Sequence, residues 1–155
     1  MPKMWMKEKP EMEKVLEEVK YGFLGLSNDG KPYVIPMSYA YQQNKIYLHA
    51  ALKGLKLKFI KNNPQVCFTV AELQQLIPNH DPCEFAMRYR SVMARGTATL
   101  LEEPEKKIAA LKIIAAKYSP DSINSDLDSR KANSVAVVVI EIEEITGKYN
   151  IDEQT

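Results

Sequence analysis

The chain has 155 residues, and its 21 basic and 20 acidic side chains give a formal net charge of +1. This length fits one domain, residues 1–155, with a core of its own, and the balanced charge argues against binding nucleic acid by bulk electrostatics. There is no apolar run of membrane-spanning length, no signal peptide and no CxxC pattern around Cys67 and Cys83, so we expect a cytoplasmic protein without a membrane partner.

The first third of the chain predicts one helix and three strands. Apolar residues at helical spacing favour a helix over residues 10–19, and "YGFLGLS" is typical of a strand that ends in a turn at Asn28. "PYVIPMSYAY" predicts a second strand, which Pro36 restricts to a sheet edge or a bulge. "KIYLHAA" predicts a third, and the short polar turns between the three favour an antiparallel meander.

The lysine-rich segment "LKGLKLKFIK" predicts a helix over residues 52–61. Pro64 should end this helix, because proline disfavours helical backbone in the residue before it. A helical wheel places four apolar side chains on the side that should pack on the sheet: Leu52, Leu55, Phe59 and Ile60.

The second half predicts two more long strands and a helix. "QVCFTVA" is typical of a strand, residues 72–85 of a loop, and "AMRYRSVMARGTATLLE" of a long strand bent at Gly96. Residues 121–133 fit either a loop or a short helix, and "SVAVVVIEIEEI" predicts the strongest strand. Pro104 favours a helix start, and the packing face of this helix carries Ile108, Leu111, Ala115 and Tyr118.

These elements predict a mainly β fold with peripheral α-helices, most economically an antiparallel β-barrel. Closure of the barrel would also protect a strand as apolar as residues 135–142 from exposure at an edge. The alternative is a doubly wound parallel sheet, which needs a helix after nearly every strand. The turns at Asn28 and Gln43 leave no room for such helices.

Lys56 falls among the apolar residues of the lysine-rich helix, where an unpaired ammonium is costly. The start of that helix has no Ser, Thr, Asp or Asn cap, so its backbone N–H groups and dipole favour an anion such as phosphate. Gly54 would let such a ligand approach the backbone closely. A solvated basic helix, in which Lys56 snorkels to the edge, remains the alternative, because a Gly-x-Lys pattern alone is weak evidence.

Two other features also allow more than one interpretation. His49 ends a predicted strand and fits a structural hydrogen-bonding residue, and a nucleophilic pair with Cys67 is the alternative. Cys67, however, belongs to an apolar strand and fits the core. The segment "NHDPCE" at residues 79–84 contains metal-ligand residue types but is more typical of a polar loop, so we expect no metal site.

Five short motifs follow one another along the first half: Gly-x-Leu, Pro-x-x-x-Pro, Tyr-x-His, Gly-x-Lys and Asn-Pro-x-Val-x-Phe. They occupy residues 22–24, 32–36, 47–49, 54–56 and 63–68. "YRSVMARGTATLLEEPEKKIAALKIIAAKY" and "VIEIEEITGKYN" continue the series downstream. This order, which covers nearly the whole chain, resembles the FMN-binding split-barrel proteins of the pyridoxamine 5′-phosphate oxidase-like superfamily. Within it, the chain is most similar to the nitroimidazole-resistance-protein-like group of flavin-nucleotide-binding proteins.

The resemblance implies an antiparallel split β-barrel that forms a homodimer and binds FMN at the subunit interface. Ser91 and Val92 would approach the flavin from the Tyr-x-Ser-Val strand, and Lys148 would close the site from the tail. An ordinary strand hydroxyl and an exposed turn lysine are the alternatives for Ser91 and Lys148. The residues implied beside the isoalloxazine ring are Ile35, Pro36, Met37, Ser38 and Tyr39. Those implied around the ribitol and phosphate are His49, Ala50, Gly54 and Lys56, with Lys56 as the main counter-charge.

In such a protein the flavin carries the electrons, so no side chain is predicted to be catalytic. The resemblance implies an FMN-dependent oxidoreductase that reduces a small electrophile such as a nitroaromatic or quinone-like compound, with His49 donating a hydrogen bond or proton near the flavin. The alternatives are a flavin carrier or redox sensor without turnover, or a barrel that holds a deazaflavin or haem, the latter with His49 as axial ligand. The arginine-rich phosphate pattern of the true pyridoxamine phosphate oxidases is absent, which argues against vitamin B6 oxidation.

Overall fold

The computed structural model describes residues 4–124 and 126–150. Its strands are β1 (Met4–Trp5), β2 (Gly22–Asn28), β3 (Lys31–Met37), β4 (Ala40–Gln42), β5 (Lys45–Ala50), β6 (Gln65–Ile77), β7 (Ala86–Leu100) and β8 (Ala136–Asn150). Its α-helices are α1 (Lys9–Glu18), α2 (Leu55–Asn62), α3 (Pro104–Tyr118) and α4 (Ser129–Ala132), and a 3-10 helix covers Pro120–Asn124.

One sheet contains the described strands in the order β3-β2-β6-β7-β8-β5-β4, and β1 pairs with the end of β8. Each of these pairings is antiparallel. β3 and β4 lie at opposite edges, although only Ser38 and Tyr39 separate them in the chain. Because such a link bridges at most about 11 Å, the sheet curls until its two edges approach one another. The fold is therefore an antiparallel split barrel with peripheral helices, as the sequence predicts.

The predicted meander is wrong at its centre. "PYVIPMSYAY" forms two strands rather than one, because β3 pairs with β2 whereas β4 pairs with β5 on the other side of the curled sheet. Pro36 lies in β3, an edge strand, as predicted. An edge suits proline, since the N–H that it lacks is not needed for a second ladder.

The predicted loop at residues 72–85 is also wrong in part. β6 continues to Ile77 and pairs with the start of β7, which leaves residues 78–85 as the tip. Within the described residues, β8 pairs with β7 as far as Tyr89, and residues 73–88 form a two-stranded extension, which we call the arm. The polar residues of this segment do not predict a strand, because an extension solvated on both sides lacks the alternation of a half-buried strand.

Gly96 marks the predicted bend. The pairing of β7 with β8 shifts register between Arg95 and Gly96, as in a β-bulge. A Cβ at Gly96 would overlap the backbone oxygen of Glu141 in β8, so only glycine fits this close approach. β8 itself lies between β7 and β5 and is therefore protected by pairing on both edges.

The core lies inside the curled sheet, where Leu48, Phe68 and Ile140 are fully buried, and α1 adds Val15 and Leu16 to the same cluster. No helix in the described ranges is long and apolar enough to cross a membrane.

The buried faces of α2 and α3 differ from those predicted. α2 begins only at Leu55, so Leu52 lies outside it, and both side chains are 54% exposed. The α2 residues that do enter the core are Leu57, Phe59 and Ile60. α3 buries Lys107, Ala110 and Ile114, whereas the predicted Ile108, Leu111 and Ala115 are half-buried and Tyr118 is exposed. Both helices carry apolar residues on several sides, so the wheel alone does not fix the buried side.

Candidate functional site

The start of α2 offers hydrogen-bond donors without a capping acceptor. Its N-cap is Gly54, with φ 154° and ψ 170°, and no side chain caps the helix. Glycine adopts this backbone far more readily than any other residue, and a Cβ placed here would meet no atom within 4 Å. The space beside this backbone is therefore open, and the first N–H groups of the helix are available to an anion.

Lys56 lies in the first turn of this uncapped helix. Its side chain is half-buried and forms no hydrogen bond or ion pair with any residue in the described ranges. Lys58 and Lys61, on the same helix, are exposed. Lys56 thus supplies an unpaired charge beside unpaired N–H groups, the combination that a phosphate group requires.

His49 and Ala50 end β5 and point to opposite sides of the sheet. Their partners in β8 are Val137 and Ala136. Ala50 is buried, and His49 is exposed on the side covered by α3. The short link of residues 51–54 then leads directly to α2, so His49 and Gly54 lie at the same end of the barrel. His49 can contact a ligand there through its ring and Ala50 only through its backbone.

A cavity of about 280 Å³ lies beside His49, between the barrel, α3 and the segment after it. Its polar wall includes Lys112 and Lys131, and Leu111 and Leu127 contribute apolar surface. None of its lining residues is acidic. The lining of the cavity therefore combines two lysines with apolar side chains.

The end of β3 alternates between core and solvent. Ile35 and Met37 pack against the core cluster, whereas Pro36 and Ser38 are exposed on the opposite face. Because β3 is an edge strand, no other strand in the described part of the chain pairs with its outer backbone groups. Those groups are free to bond a ligand that lies along the edge.

Tyr39 differs from residues 35–38 because its side chain is completely buried. Its hydroxyl donates to the Leu16 carbonyl oxygen at 2.6 Å, and its ring lies 4.9 Å from the ring of Phe68. Burial raises the pKa of Tyr39, which keeps the phenol protonated. The Tyr39 side chain therefore fixes α1 to the barrel and does not face an open site.

Tyr118 and Lys117, in the last turn of α3, hold the chain at Tyr39. Tyr39 donates its backbone N–H to the Tyr118 hydroxyl at 2.8 Å, and that hydroxyl also lies 2.8 Å from the Tyr39 carbonyl oxygen and 2.6 Å from that of Lys20. Lys117 donates to the Val19 carbonyl oxygen at 2.6 Å. Burial, with a smaller contribution from the charge of Lys20, lowers the pKa of Lys117 to about 8. No sequence pattern indicates the role of Lys117, since a lysine in a last helical turn is usually solvated, and helical spacing predicts Tyr118 only as a packing residue.

Ser91, Val92 and Lys148 form a second group on β7 and β8. Ser91 pairs with Lys148, and its hydroxyl donates to the Lys148 carbonyl oxygen at 3.3 Å. Val92 is buried, whereas Ser91 and Lys148 are half-buried on the outer face of the sheet. The Lys148 ammonium lies 5.2 Å from the centre of the Trp5 ring.

The structure separates these two groups of predicted site residues within one chain. β2 and β6 lie between β3 and β7. With about 4.8 Å between neighbouring strands, the two groups are about 14 Å apart along the sheet. One chain therefore does not bring Ser91 and Lys148 to the β3 edge.

The curled antiparallel sheet, with its edge strand and peripheral helices, defines a split barrel. The family model for pyridoxamine 5′-phosphate oxidase matches residues 8–149. The chain belongs to this family.

Solved structures with the same fold include three informative neighbours. A protein of Bacteroides thetaiotaomicron, provisionally assigned to 5-nitroimidazole antibiotic resistance, is 29% identical and has a TM-score of 0.85 over 96% of this chain and 87% of its own. The flavocytochrome Anf3 of Azotobacter vinelandii is 20% identical, with a TM-score of 0.84 over 96% and 70% of the two chains. An FAD- and haem-binding protein of Mycobacterium smegmatis is 15% identical, with a TM-score of 0.86 over 96% and 74%.

One curated relative also matches, an uncharacterized protein of Rhizobium meliloti that is 33% identical over 49 residues. The alignment spans 32% of this chain and 32% of that relative.

Proposed function

We propose that this protein binds FMN through its phosphate end and acts as a flavin-dependent oxidoreductase that reduces small electrophiles such as nitroaromatic or quinone-like compounds. One observation carries the proposal: the uncapped start of α2 at Gly54, with the unpaired charge of Lys56 beside it. These groups fit a phosphate, because neither the backbone donors nor the ammonium has an acceptor among the described residues.

The side chains described above bind and orient the flavin and are not reactive groups themselves. The α2 N–H groups and Lys56 would hold the phosphate, and backbone groups at the free edge of β3 would bond to the rest of the flavin. His49 donates a hydrogen bond from the end of β5. The flavin, when bound, supplies the electron transfer. Burial raises the pKa of both Tyr39 and Tyr118, so neither phenol is a base near neutral pH.

The separation of the two groups supports a homodimer. We propose that Ser91 and Lys148 contact the flavin from a second chain, since about 14 Å of sheet separates them from the β3 edge of their own chain. A two-fold arrangement would place the outer face of each sheet against the other and complete two equal sites.

The outer face has the composition of such an interface. Phe23 pairs with Pro36 on one side and Thr69 on the other, and Thr69 pairs with Met93, so these four side chains share one face. No described helix covers it, and Phe23 is 44% exposed. Other large apolar side chains exposed here and along the arm are Tyr21, Val34, Leu73, Leu76 and Met87. Several large apolar side chains exposed on one face favour a contact with another protein surface.

The choice of substrate class rests on the 29% identical protein, which is provisionally assigned to nitroimidazole resistance. A nitro group accepts electrons from a reduced flavin, as a quinone does. Two more distant neighbours are a flavocytochrome and a protein that binds haem with FAD. The test must therefore separate flavin from haem.

The test starts with the absorbance spectrum of protein purified from cells and of protein reconstituted with FMN. We expect a flavin spectrum and one FMN per chain. Anaerobic reduction by a nicotinamide donor, followed by nitroaromatics and quinones, should show turnover of the reduced flavin. A Soret band without flavin uptake would overturn flavin binding. Stable FMN binding without reoxidation by any acceptor would favour a carrier or sensor.

A further inference from the structure

Trp5 is 60% exposed, although the backbone on both sides of it is held in place. Met4 pairs with Tyr149 of β8, and Met6 donates its backbone N–H to the Gly147 carbonyl oxygen at 2.8 Å. The Met6 side chain packs directly on Gly147, where a Cβ would overlap its sulfur. β1 therefore holds the indole ring in a defined place without burying it.

The Trp5 side chain lies in one row with two predicted site residues. Lys148 pairs with Trp5 on one side and with Ser91 on the other. Side chains directly opposite one another in antiparallel strands share a face, so all three lie on the outer face of the sheet. The Lys148 ammonium lies over the indole ring, 5.2 Å from its centre, which is within the range of a cation–π contact.

The Lys148 ammonium keeps its hydrogen-bond donors available. It forms no hydrogen bond or ion pair with any residue in the described part of the chain, since the bond from Ser91 goes to its backbone carbonyl oxygen. An ammonium carries three N–H groups and no acceptor. A ligand oxygen beside the Trp5 ring could therefore accept a hydrogen bond from Lys148.

These two side chains suit a flat, electron-poor ring. The face of an indole is electron-rich, so it stacks best on a ring from which electrons are withdrawn. Nitroaromatic and quinone rings are of this kind, and both carry oxygens at the ring edge that accept hydrogen bonds. Trp5 and Lys148, side by side, match the ring and the oxygen of such a molecule.

Trp5 is far from the β3 edge of its own chain. The path from β3 to β1 runs through β2, β6, β7 and β8, which is about 24 Å along the sheet at about 4.8 Å per strand. In the proposed homodimer the outer faces of two sheets meet. Trp5 would then approach the flavin site of the other chain, together with Ser91 and Lys148.

We propose that Trp5 binds the electron acceptor: the ring of a nitroaromatic or quinone stacks on its indole, and an oxygen of the acceptor takes a hydrogen bond from Lys148. The proposal rests on the flavin-dependent reduction proposed above, and it adds which side chain selects the acceptor. Trp5 contacts the acceptor and does not hold FMN.

Stopped-flow reoxidation of the reduced, FMN-loaded protein tests this role. Increasing concentrations of 4-nitrobenzamide or of 2-methyl-1,4-naphthoquinone give an apparent Kd and a limiting rate for each acceptor. Trp5→Ala should raise both apparent Kd values about three- to tenfold, as expected for loss of one aromatic stacking contact. Trp5→Phe, which keeps a ring, should remain within about twofold of the wild type.

Tryptophan emission gives a second readout that needs no turnover. Trp5 is the only tryptophan of the chain, so the emission reports this position alone. With oxidised, FMN-loaded protein, 4-nitrobenzamide should lower the emission by forming a complex and leave the lifetime of the remaining emission unchanged. Quenching that only shortens the lifetime would mean collision without binding and would contradict the proposal.

Dioxygen is the matched acceptor, because it also oxidises reduced flavin but has no ring to stack, and its rate should be equal in wild type and Trp5→Ala. Phe85→Ala is the matched variant, since Phe85 is 62% exposed at the tip of the arm, and it should leave every apparent Kd unchanged. FMN titration and light scattering show whether each variant keeps its flavin and its dimer.

Unchanged apparent Kd values in Trp5→Ala would overturn the proposal. Loss of FMN affinity or of the dimer in this variant would also overturn it, because Trp5 would then be a flavin or interface contact. A wild-type protein that binds no FMN, or whose reduced flavin is oxidised by neither acceptor, would instead overturn the proposed function itself.

Discussion

The Lys117 ammonium lies 3.6 Å from the centre of the Tyr39 ring and donates a hydrogen bond to the Val19 carbonyl oxygen at 2.6 Å. Val19 is the C-cap of α1, so this lysine stabilises the end of one helix and covers the aromatic ring beside it. Tyr118, the next residue, bonds to both backbone groups of Tyr39. The last turn of α3 therefore joins α1 to the link between β3 and β4.

Lys117 should make folding stability rise with pH in a defined window. Its pKa of about 8 in the folded protein lies below the ordinary lysine value of 10.5, because burial disfavours the charged form. Between these two values the unfolded chain keeps a proton that the folded chain has released, so raising the pH favours folding. Urea unfolding of wild type and Lys117→Met from about pH 7 to about pH 10 measures this effect.

The free energy of unfolding of the wild type, minus that of Lys117→Met, should increase across this range. Lys106 is exposed on the same helix, so the free-energy difference between wild type and Lys106→Met should not change with pH. If the free-energy difference between wild type and Lys117→Met instead falls with pH, the charged form of Lys117 is favoured in the folded protein. The Tyr39 ring and the carbonyl groups of Leu16 and Val19 would then stabilise the ammonium more than burial penalises it.

The sequence predicted most of the sheet because its signals are local. Asn28 and Gln43 mark real turns, Pro36 lies on a real edge, and Gly96 marks the bulge. The pairing of β3 and β4 with different strands could not be predicted in this way. It depends on how far the whole sheet curls, which no short stretch specifies.

The same distinction applies to the candidate site. Gly54 and Lys56 were detectable because an uncapped helix start is a pattern of neighbouring residues. Lys117 and Tyr118 act on groups about a hundred residues earlier in the chain, such as Val19 and Lys20. The burial that shifts the pKa of Lys117 arises only when α1, α3 and Tyr39 meet, so no sequence pattern could indicate it.

Phe23→Glu should separate the proposed homodimer. Phe23 lies on the outer face between Pro36 and Thr69, where a second chain would bury a carboxylate without a partner. Static light scattering should give twice the chain mass for the wild type and the single chain mass for this variant. FMN affinity should fall with the dimer, since each site of the proposed homodimer would take Ser91 and Lys148 from the other chain.

Ala116→Glu is the matched control for this change, because Ala116 is exposed on α3, away from the outer face. It should remain a dimer. A wild-type monomer that binds FMN tightly would contradict the shared site, and a Phe23→Glu dimer would exclude this face as the interface.

Gly96→Ala should destabilise the fold without direct effect on the flavin. The added Cβ would overlap the Glu141 carbonyl oxygen across the bulge, and forcing a methyl group into such a contact costs about 1–3 kcal/mol. Arg95→Ala, at the adjacent exposed position, removes only a surface ion pair with Glu144 and should cost less than about 1 kcal/mol. Urea unfolding measures both losses of stability from the shift of the midpoint, provided that the m-values are equal. Equal stability of Gly96→Ala and wild type would show that the strands move apart at the bulge without cost.

Lys56→Ala should weaken FMN binding and leave riboflavin binding nearly unchanged. Lys56 is the half-buried, unpaired lysine at the α2 start, and riboflavin lacks the phosphate that we expect it to contact. A charge-assisted bond of this kind contributes about 1.5–3 kcal/mol, or roughly ten- to a hundredfold in affinity. Fluorescence titration at fixed salt measures both ligands, since exposed charges are screened by salt and a direct pair less so.

Lys58→Ala and Lys61→Ala are the matched controls, because both lysines are exposed on the same helix and carry the same charge. Each should change FMN affinity little and stability by less than about 0.5 kcal/mol. Gly54→Val should also reduce FMN binding, since valine rarely adopts φ 154° and its side chain would occupy the open space at the N-cap. Equal losses of FMN affinity in all three lysine variants would instead favour a solvated basic helix that attracts the ligand only by its overall charge. A Lys56→Ala effect as large for riboflavin as for FMN would show that Lys56 does not contact the phosphate.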